Sequence, residues 1–326
     1  MKKFVKLLFL FSGLFIFVGA VLFGVGFLGA DGKLKNLSHL TTESYYYTEK
    51  TESEIDRVTI AYESDARIHV QISDSATQIS ASYERLLTKS GKSAGTVTLT
   101  DDYGHLQLKE TRTWKEKFRA LGWYNTLTKL DVNLVLPANR SYDLAIYSNT
   151  GDVILDGDIY NLRSLTIIGD TSDVYLNNAN IACSGDVRLE TDTGDITIGN
   201  LTANNLSVKT DTGDINVVGT LTAENVQATC DTGDCKISGK IVANTIAIKA
   251  DTGDVKTNGN ALLDGKIIVI ETDTGDVSVK LAGYILDYTI LASVDTGKTN
   301  VHTQYGGERK LNITVDTGDI HVVFEE

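Results

Sequence analysis

The stretch Leu206-Ser-Val-Lys-Thr-Asp-Thr-Gly-Asp-Ile-Asn-Val217 alternates apolar and polar residues on both sides of a D-T-G-D corner. Twenty residues on, Val226-Gln-Ala-Thr-Cys-Asp-Thr-Gly-Asp-Cys-Lys-Ile237 repeats the pattern, and Ile246-Ala-Ile-Lys-Ala-Asp-Thr-Gly-Asp-Val-Lys-Thr257 repeats it again. Alternation of period two marks a half-buried strand, and glycine supplies the tight turn between strands. Shifted by twenty, the copies align in columns: Leu206 with Val226 and Ile246, Val208 with Ala228 and Ile248, Ile215 with Cys235 and Val255. Leu201, Leu221 and Ile241 form another column, Ala203, Ala223 and Ala243 a fifth, and Gly219, Gly239 and Gly259 mark a bend. An array of hairpins would not keep every column alike, so parallel stacking of equivalent strands is expected.

Outward from this core the corner recurs as Asp192 with Gly194, Asp211 with Gly213, Asp231 with Gly233 and Asp251 with Gly253. It continues as Asp273 with Gly275, Asp295 with Gly297 and Asp316 with Gly318. Two degenerate copies, Asn149-Thr-Gly-Asp152 and Asp170-Thr-Ser-Asp173, extend the series upstream. The reading is an all-β fold: a parallel β-helix-like solenoid of about nine coils of 19–22 residues over 146–326. At ~4.8 Å per rung, nine rungs make a rod of about 43 Å. Twenty-nine glycines against the single Pro137 fit a chain whose turns are set by glycine.

Stacking brings equivalent carboxylates within ~5 Å, where like charges repel by roughly 1–3 kcal/mol, so something must offset them. The structural reading makes the first Asp of each corner an Asx-turn acceptor for backbone N–H groups, with glycine at φ > 0. The alternative is a calcium ladder on the fourth residues, Asp195, Asp214, Asp234, Asp254 and Asp276. Against calcium stand the missing G-G-x-G-x-D spacing and Lys298, a cation at the fourth position of one corner. Catalysis is not expected, because an active site breaks a repeat locally with unlike residues, whereas this acid recurs in nearly every coil. No cofactor is expected either, the five histidines being scattered without metal-ligand spacing.

The chain opens with Lys2, Lys3 and Lys6, then runs from Leu7 to Ala30 without a charge. Twenty-four helical residues span ~36 Å, enough for a tilted membrane crossing and long for the apolar core of a cleavable signal, which the small residues Gly24, Gly26 and Ala30 keep as the alternative. The expected order is a cytoplasmic end at 1–6, a transmembrane helix at 7–30, a polar stalk at 31–54 and a strand-rich leading region at 55–145, then the solenoid outside the cell. Beyond the span lie 27 basic and 43 acidic residues, net −16, which repels nucleic acid and excludes a phosphate-tracking groove.

Residues 110–129 reverse that sign, summing to +3, and hold both tryptophans, Trp114 and Trp123, with Phe118, Lys115, Lys117 and Arg119. Two readings stand: an insertion whose aromatics cap the open end of the solenoid, or a surface for membrane or partner contact. Gly91-Lys-Ser-Ala-Gly95 matches G-x-S-x-G, but a strand, Thr96-Val-Thr-Leu-Thr100, follows where a nucleophile elbow needs a helix. Cys230 and Cys235 flank one corner in inward columns, where buried thiols are favoured over a disulfide across the turn.

The succession of Arg57-Val-Thr-Ile60, Arg67-Ile-His-Val70, Leu134-Val-Leu-Pro137 and Leu144-Ala-Ile-Tyr-Ser-Asn-Thr-Gly-Asp152, followed by repeated T-G-D, resembles a bacterial membrane-anchored β-strand-repeat family of unknown function. Its members are described as adhesin candidates, and the likeness covers roughly residues 55–326. The resemblance implies a right-handed β-helix-like fold at the cell envelope, relatives encoded beside envelope-stress regulators, and no accepted catalytic residues. The expected role is a non-catalytic surface module whose lateral face meets an envelope protein or glycan. An accessory envelope-stress sensor and a self-assembling scaffold are the alternatives.

Overall fold

The computed structural model describes residues 16, 18, 19, 21, 25, 38–50, 54–119 and 129–325. In chain order the first strands are β1 (Leu40–Thr48), β2 (Arg57–Ser73), β3 (Ser80–Thr88), β4 (Thr96–Asp102) and β5 (His105–Thr111). A helix, α1 (Trp114–Arg119), precedes β6 (Leu130–Pro137), β7 (Tyr142–Thr150), β8 (Val153–Thr171) and β9 (Val174–Cys183). The repeats give β10 (Val187–Thr193), β11 (Ile196–Thr202), β12 (Asn205–Thr212), β13 (Ile215–Val217) and β14 (Thr220–Thr232). They continue as β15 (Cys235–Ile237), β16 (Lys240–Thr252), β17 (Val255–Thr257), β18 (Leu262–Thr274) and β19 (Val277–Ala282). The last are β20 (Tyr288–Thr296), β21 (Arg309–Thr317) and β22 (Ile320–Glu325).

The chain divides into two compact units. The larger comprises 44–84, 97–111 and 130–326 and holds the strand stack. Its strands pair parallel and in register, as the columns require: Leu206 lies against Val226, Val226 against Ile246 and Ile246 against Ile268. The same column runs upstream through Val187, Leu165, Leu144, Val58 and Leu106, all buried. The solenoid therefore extends into the region expected only to lead into it, where β2 supplies one rung and β5 with β6 another. Apolar alternation along β2 makes this possible, because its inward residues Val58, Ile60, Ile68 and Val70 are all buried.

Stacking order departs from chain order at both ends. At the N-terminal end, β2 lies between β5 and β7. At the C-terminal end, β21 pairs with β18 on one side and β20 on the other, so the last coil of the chain is inserted beneath the one before it. Gly259 also leaves the expected glycine column: an ideal Cβ there meets nothing within 4 Å, whereas on Gly239 it would lie 1.8 Å from the Gly219 oxygen. Two extra residues in that coil release it from the stack.

Leu40–Thr48 lies within the expected polar stalk yet is a strand. Its Thr and Tyr run favours extended backbone, Tyr45 stacks on Tyr83 at 5.6 Å, and Tyr47 donates to Asp101 at 2.7 Å. The β3–β6 pairing is antiparallel, from Ser80 opposite Val135 to Tyr83 opposite Val132, within the region expected to be strand-rich. Among the described residues no helix is long and apolar enough to cross a membrane. The expected span 7–30 lies outside the described residues except at Ile16, Val18, Gly19, Val21 and Val25, which are helical.

Candidate functional site

The corners form one ladder. The N–H of Gly213 donates to the Thr232 carbonyl of the next rung and that of Ile215 to the Asp234 carbonyl, both at 2.9 Å. The N–H between them, on Asp214, points the other way and is met by a side chain: Asp195 Oδ1 accepts it at 2.8 Å. The same bond links Asp234 to Asp214, Asp254 to Asp234, Asp276 to Asp254 and Asp319 to Asp276, at 2.7–2.9 Å. The acceptor is thus the fourth residue of the corner rather than the first, and it serves the neighbouring rung rather than its own turn. The carboxylate gives this part-exposed main-chain N–H a charge-assisted partner, a bond of about 1 kcal/mol net.

Glycine is demanded twice over. Gly213, Gly233 and Gly253 hold φ of 145°, 142° and 148°, and an ideal Cβ on Gly233 would stand 2.0 Å from the Gly213 oxygen. Lysines offset the carboxylate row. Lys236 Nζ lies 2.5 Å from Asp214 and 3.1 Å from Asp234, Lys256 pairs with Asp254, and Lys209 lies 2.6 Å from Asp211. Burial alone would raise the Asp214 carboxyl, but the Lys236 ammonium and the Asp234 N–H outweigh it and hold it below the ordinary range. Asp254 is lowered in the same way, burial being outweighed by Lys256 and the Asp276 N–H.

Each proposed calcium ligand from Asp195 to Asp276 therefore commits one oxygen to a neighbouring rung, and Asp214, Asp234 and Asp254 commit the other to lysine. Among the described residues no group of three or more His, Cys, Asp or Glu is arranged to hold a metal ion. Among the first aspartates, Asp211 and Asp251 pair with Lys209 and Lys249. At the β5 end of the stack Glu110, buried, plays the ladder's part: Oε2 accepts the N–H groups of Glu63 and Ser64 at 3.1 and 2.7 Å. Sequence periodicity missed Glu110, because it lies in a rung without the D-T-G motif.

A shallow concavity of about 700 Å³ crosses several rungs where Ala203, Ala223, Ala243 and Gly265 leave room beside larger neighbours. Of its polar lining, Arg309 and Asp264 bond each other at 2.9 Å. Cys230 and Cys235 are free, buried thiols with sulfurs 3.0 Å apart.

The second unit comprises Met1–Glu43, Arg85–Thr96 and Arg112–Lys129. Here the chain leaves β5 at Thr111 and returns at Leu130, the point where other coils turn a four-residue corner. Thr113 and Glu116 form a capping box at the start of α1, with Thr113 N donating to Glu116 Oε2 and Glu116 N to Thr113 Oγ1. Glu116 is buried and also accepts from Ser93 at 2.6 Å and Thr96 at 3.2 Å. Burial would raise its carboxyl, yet these bonds hold it down to about 2. Trp114 and Phe118 are 73% and 68% exposed. Lys115 and Lys117 are exposed beside them, Arg119 ends the helix, and Trp123 lies outside the described residues.

A parallel β-solenoid with a self-bonded corner ladder and an aromatic, basic departure from the repeat places the chain in the β-strand-repeat class of folds. The match to the Toastrack DUF4097 family model extends over residues 55–323, and the chain belongs to that family. No curated protein matches it. Among solved structures, an adhesin candidate from Bacteroides fragilis NCTC 9343 is 13% identical over 87% of this chain and 97% of its own, with TM-score 0.42. A candidate lipid-binding protein from Parabacteroides distasonis ATCC 8503 is 12% identical over 88% and 97%, with TM-score 0.40. An adhesin candidate from the same organism is 12% identical over 87% and 97%, with TM-score 0.33.

Proposed function

We infer that this is a non-catalytic surface protein, anchored by residues 7–30 with its N-terminus in the cytoplasm and its right-handed solenoid outside, acting as an adhesin or envelope-interaction module. The observation that carries this reading is the commitment of the fourth acid of each corner, from Asp195 to Asp276, to the neighbouring rung. These carboxylates cap neighbouring rungs and at Asp214 and Asp254 also pair with lysine, so the ladder serves the stack rather than a set of acids and bases arranged for chemistry. The uncharged stretch from Leu7 to Ala30 and the net −16 beyond it support an anchored ectodomain.

Deleting the protein from its host tests the reading. Attachment should fall while envelope-stress gene output stays constant; the opposite pattern would assign it to stress sensing. Protease added to intact cells should degrade the T-G-D repeats, and full protection would refute the orientation. Self-assembly is the weaker alternative, because the terminal rung carries Lys298 where the others offer an acceptor, and a lysine at a sheet edge opposes further pairing.

A further inference from the structure

We propose that α1 is a bilayer contact, in which Trp114 and Phe118 seat in the headgroup layer of an anionic membrane and Lys115 and Lys117 meet lipid phosphates on either flank. The proposal rests on the anchored reading above and names the partner of a segment that interrupts the repeat.

The orientation of the helix is built, not incidental. Buried Glu116 is held from three directions by Ser93, Thr96 and Thr113. At about 100° per residue, positions 114 and 118 then fall roughly 160° away from it, on the opposite side of the helix. An ordinary surface helix buries apolar residues and shows polar ones; α1 buries its acid and shows its two aromatic rings. Lys115 Nζ lies 5.7 Å from the Trp114 ring centre, so the cation and the indole present one amphipathic surface. Aromatic rings flanked by lysines are the side chains that populate the membrane–water interface, and the local +3 suits anionic headgroups that the net −16 of residues 31–326 as a whole would repel.

The placement agrees. The α1 segment shares its compact unit with the described residues 38–43. Within that unit, Lys89 N donates to the His39 carbonyl at 2.7 Å, Arg85 pairs with Glu43 at 2.6 Å, and Ser93 reaches Glu116. His39 stands nine residues beyond Ala30, the end of the expected span, so its tether is no more than about 30 Å even when fully extended.

The test uses the full chain in vesicles of phosphatidylglycerol and phosphatidylcholine, with Trp123→Phe making Trp114 the sole tryptophan. Emission should shift to the blue and be quenched by lipids brominated close to the glycerol backbone. Lys115→Glu with Lys117→Glu should reduce both effects, as should phosphatidylcholine alone. Water-like, unquenched emission from protein that survives carbonate washing would overturn the contact while leaving the anchor intact. Release by carbonate with Trp114 still quenched before the wash would overturn the anchor and leave the contact. Quenching that is equal in neutral vesicles and unaffected by the lysine changes would overturn the anionic partner. Unchanged far-ultraviolet strand signal in each variant confirms that a lost contact is not a lost fold.

Discussion

Asp319 Oδ1 accepts the main-chain N–H of Lys298 at 2.8 Å, although the chain reaches Lys298 first. The bond fixes the stacking order at the C-terminal end: Asp276 serves Asp319, and Asp319 serves Lys298. Lys298 therefore occupies the last corner of the ladder, where, among the described residues, no further rung presents an N–H. That explains why the single corner without a fourth Asp tolerates lysine. Asp319→Ala should cost about 1 kcal/mol in urea unfolding and speed amide exchange at Lys298. Lys298→Asp should stay within about 0.5 kcal/mol of the parent. Equal losses from the two changes would contradict the terminal position.

The glycines separate by the same logic. Gly233→Ala would force a Cβ within 2.0 Å of the Gly213 oxygen at φ 142°, so both sterics and backbone strain oppose it. A loss of about 3 kcal/mol or more is expected. Gly259 has φ 62° and open space around an added Cβ, so Gly259→Ala should cost only about 1 kcal/mol. Paired urea midpoints measure the contrast.

Cys230 and Cys235 occupy positions that the preceding rung fills with Thr210 and Ile215. Contact with Cys230, then burial, pushes the Cys235 thiol well above its ordinary range. Native protein should therefore resist iodoacetamide at both sites and react only after unfolding. Cys230→Thr with Cys235→Ile should fold with stability changed by less than about 1.5 kcal/mol. Rapid native labelling would show that this corner opens.

The columns were legible in the sequence because register and hydrophobic period coincide: Leu206, Val226 and Ile246 could align only in a parallel stack. The stacking order was not, since β20 and β21 carry the same D-T-G pattern and either fits against β18. Nor was the acceptor. An Asx turn is a local motif that can be read from one corner, whereas the Asp214 N–H needs a partner only once neighbouring rungs are superposed. The outward orientation of Trp114 and Phe118 depends on Glu116 meeting Ser93 and Thr96, contacts with residues some twenty positions away that helical periodicity does not encode.

Calcium should leave the melting curve where it is. Asp214 and Asp254 already bind an N–H with one oxygen and an ammonium with the other, so a divalent ion would have to displace lysine from each. Coincident midpoints in calcium and in chelator are expected. A rise of several degrees with calcium would restore the metal ladder.

Acid should undo the corners in a defined direction. Asp214 and Asp254 are lowered in the folded state, despite burial, by their lysines and by the neighbouring N–H groups. In the unfolded chain an aspartate titrates near ~3.9. Their contribution is complete above that value and disappears as pH falls through the lower folded value, because the unfolded chain then takes up protons that the folded corner refuses. Urea midpoints measured at descending pH should fall more steeply for the parent than for Asp214→Asn, which is less stable at neutral pH but has no carboxyl to titrate there. Lys236→Met should weaken the pH dependence too, by removing the ammonium that Asp214 and Asp234 share. Parallel curves for parent and Asp214→Asn would mean that the ladder carboxyl is not held low, and that the corner draws its stability from the main-chain bonds of Gly213 and Ile215 instead.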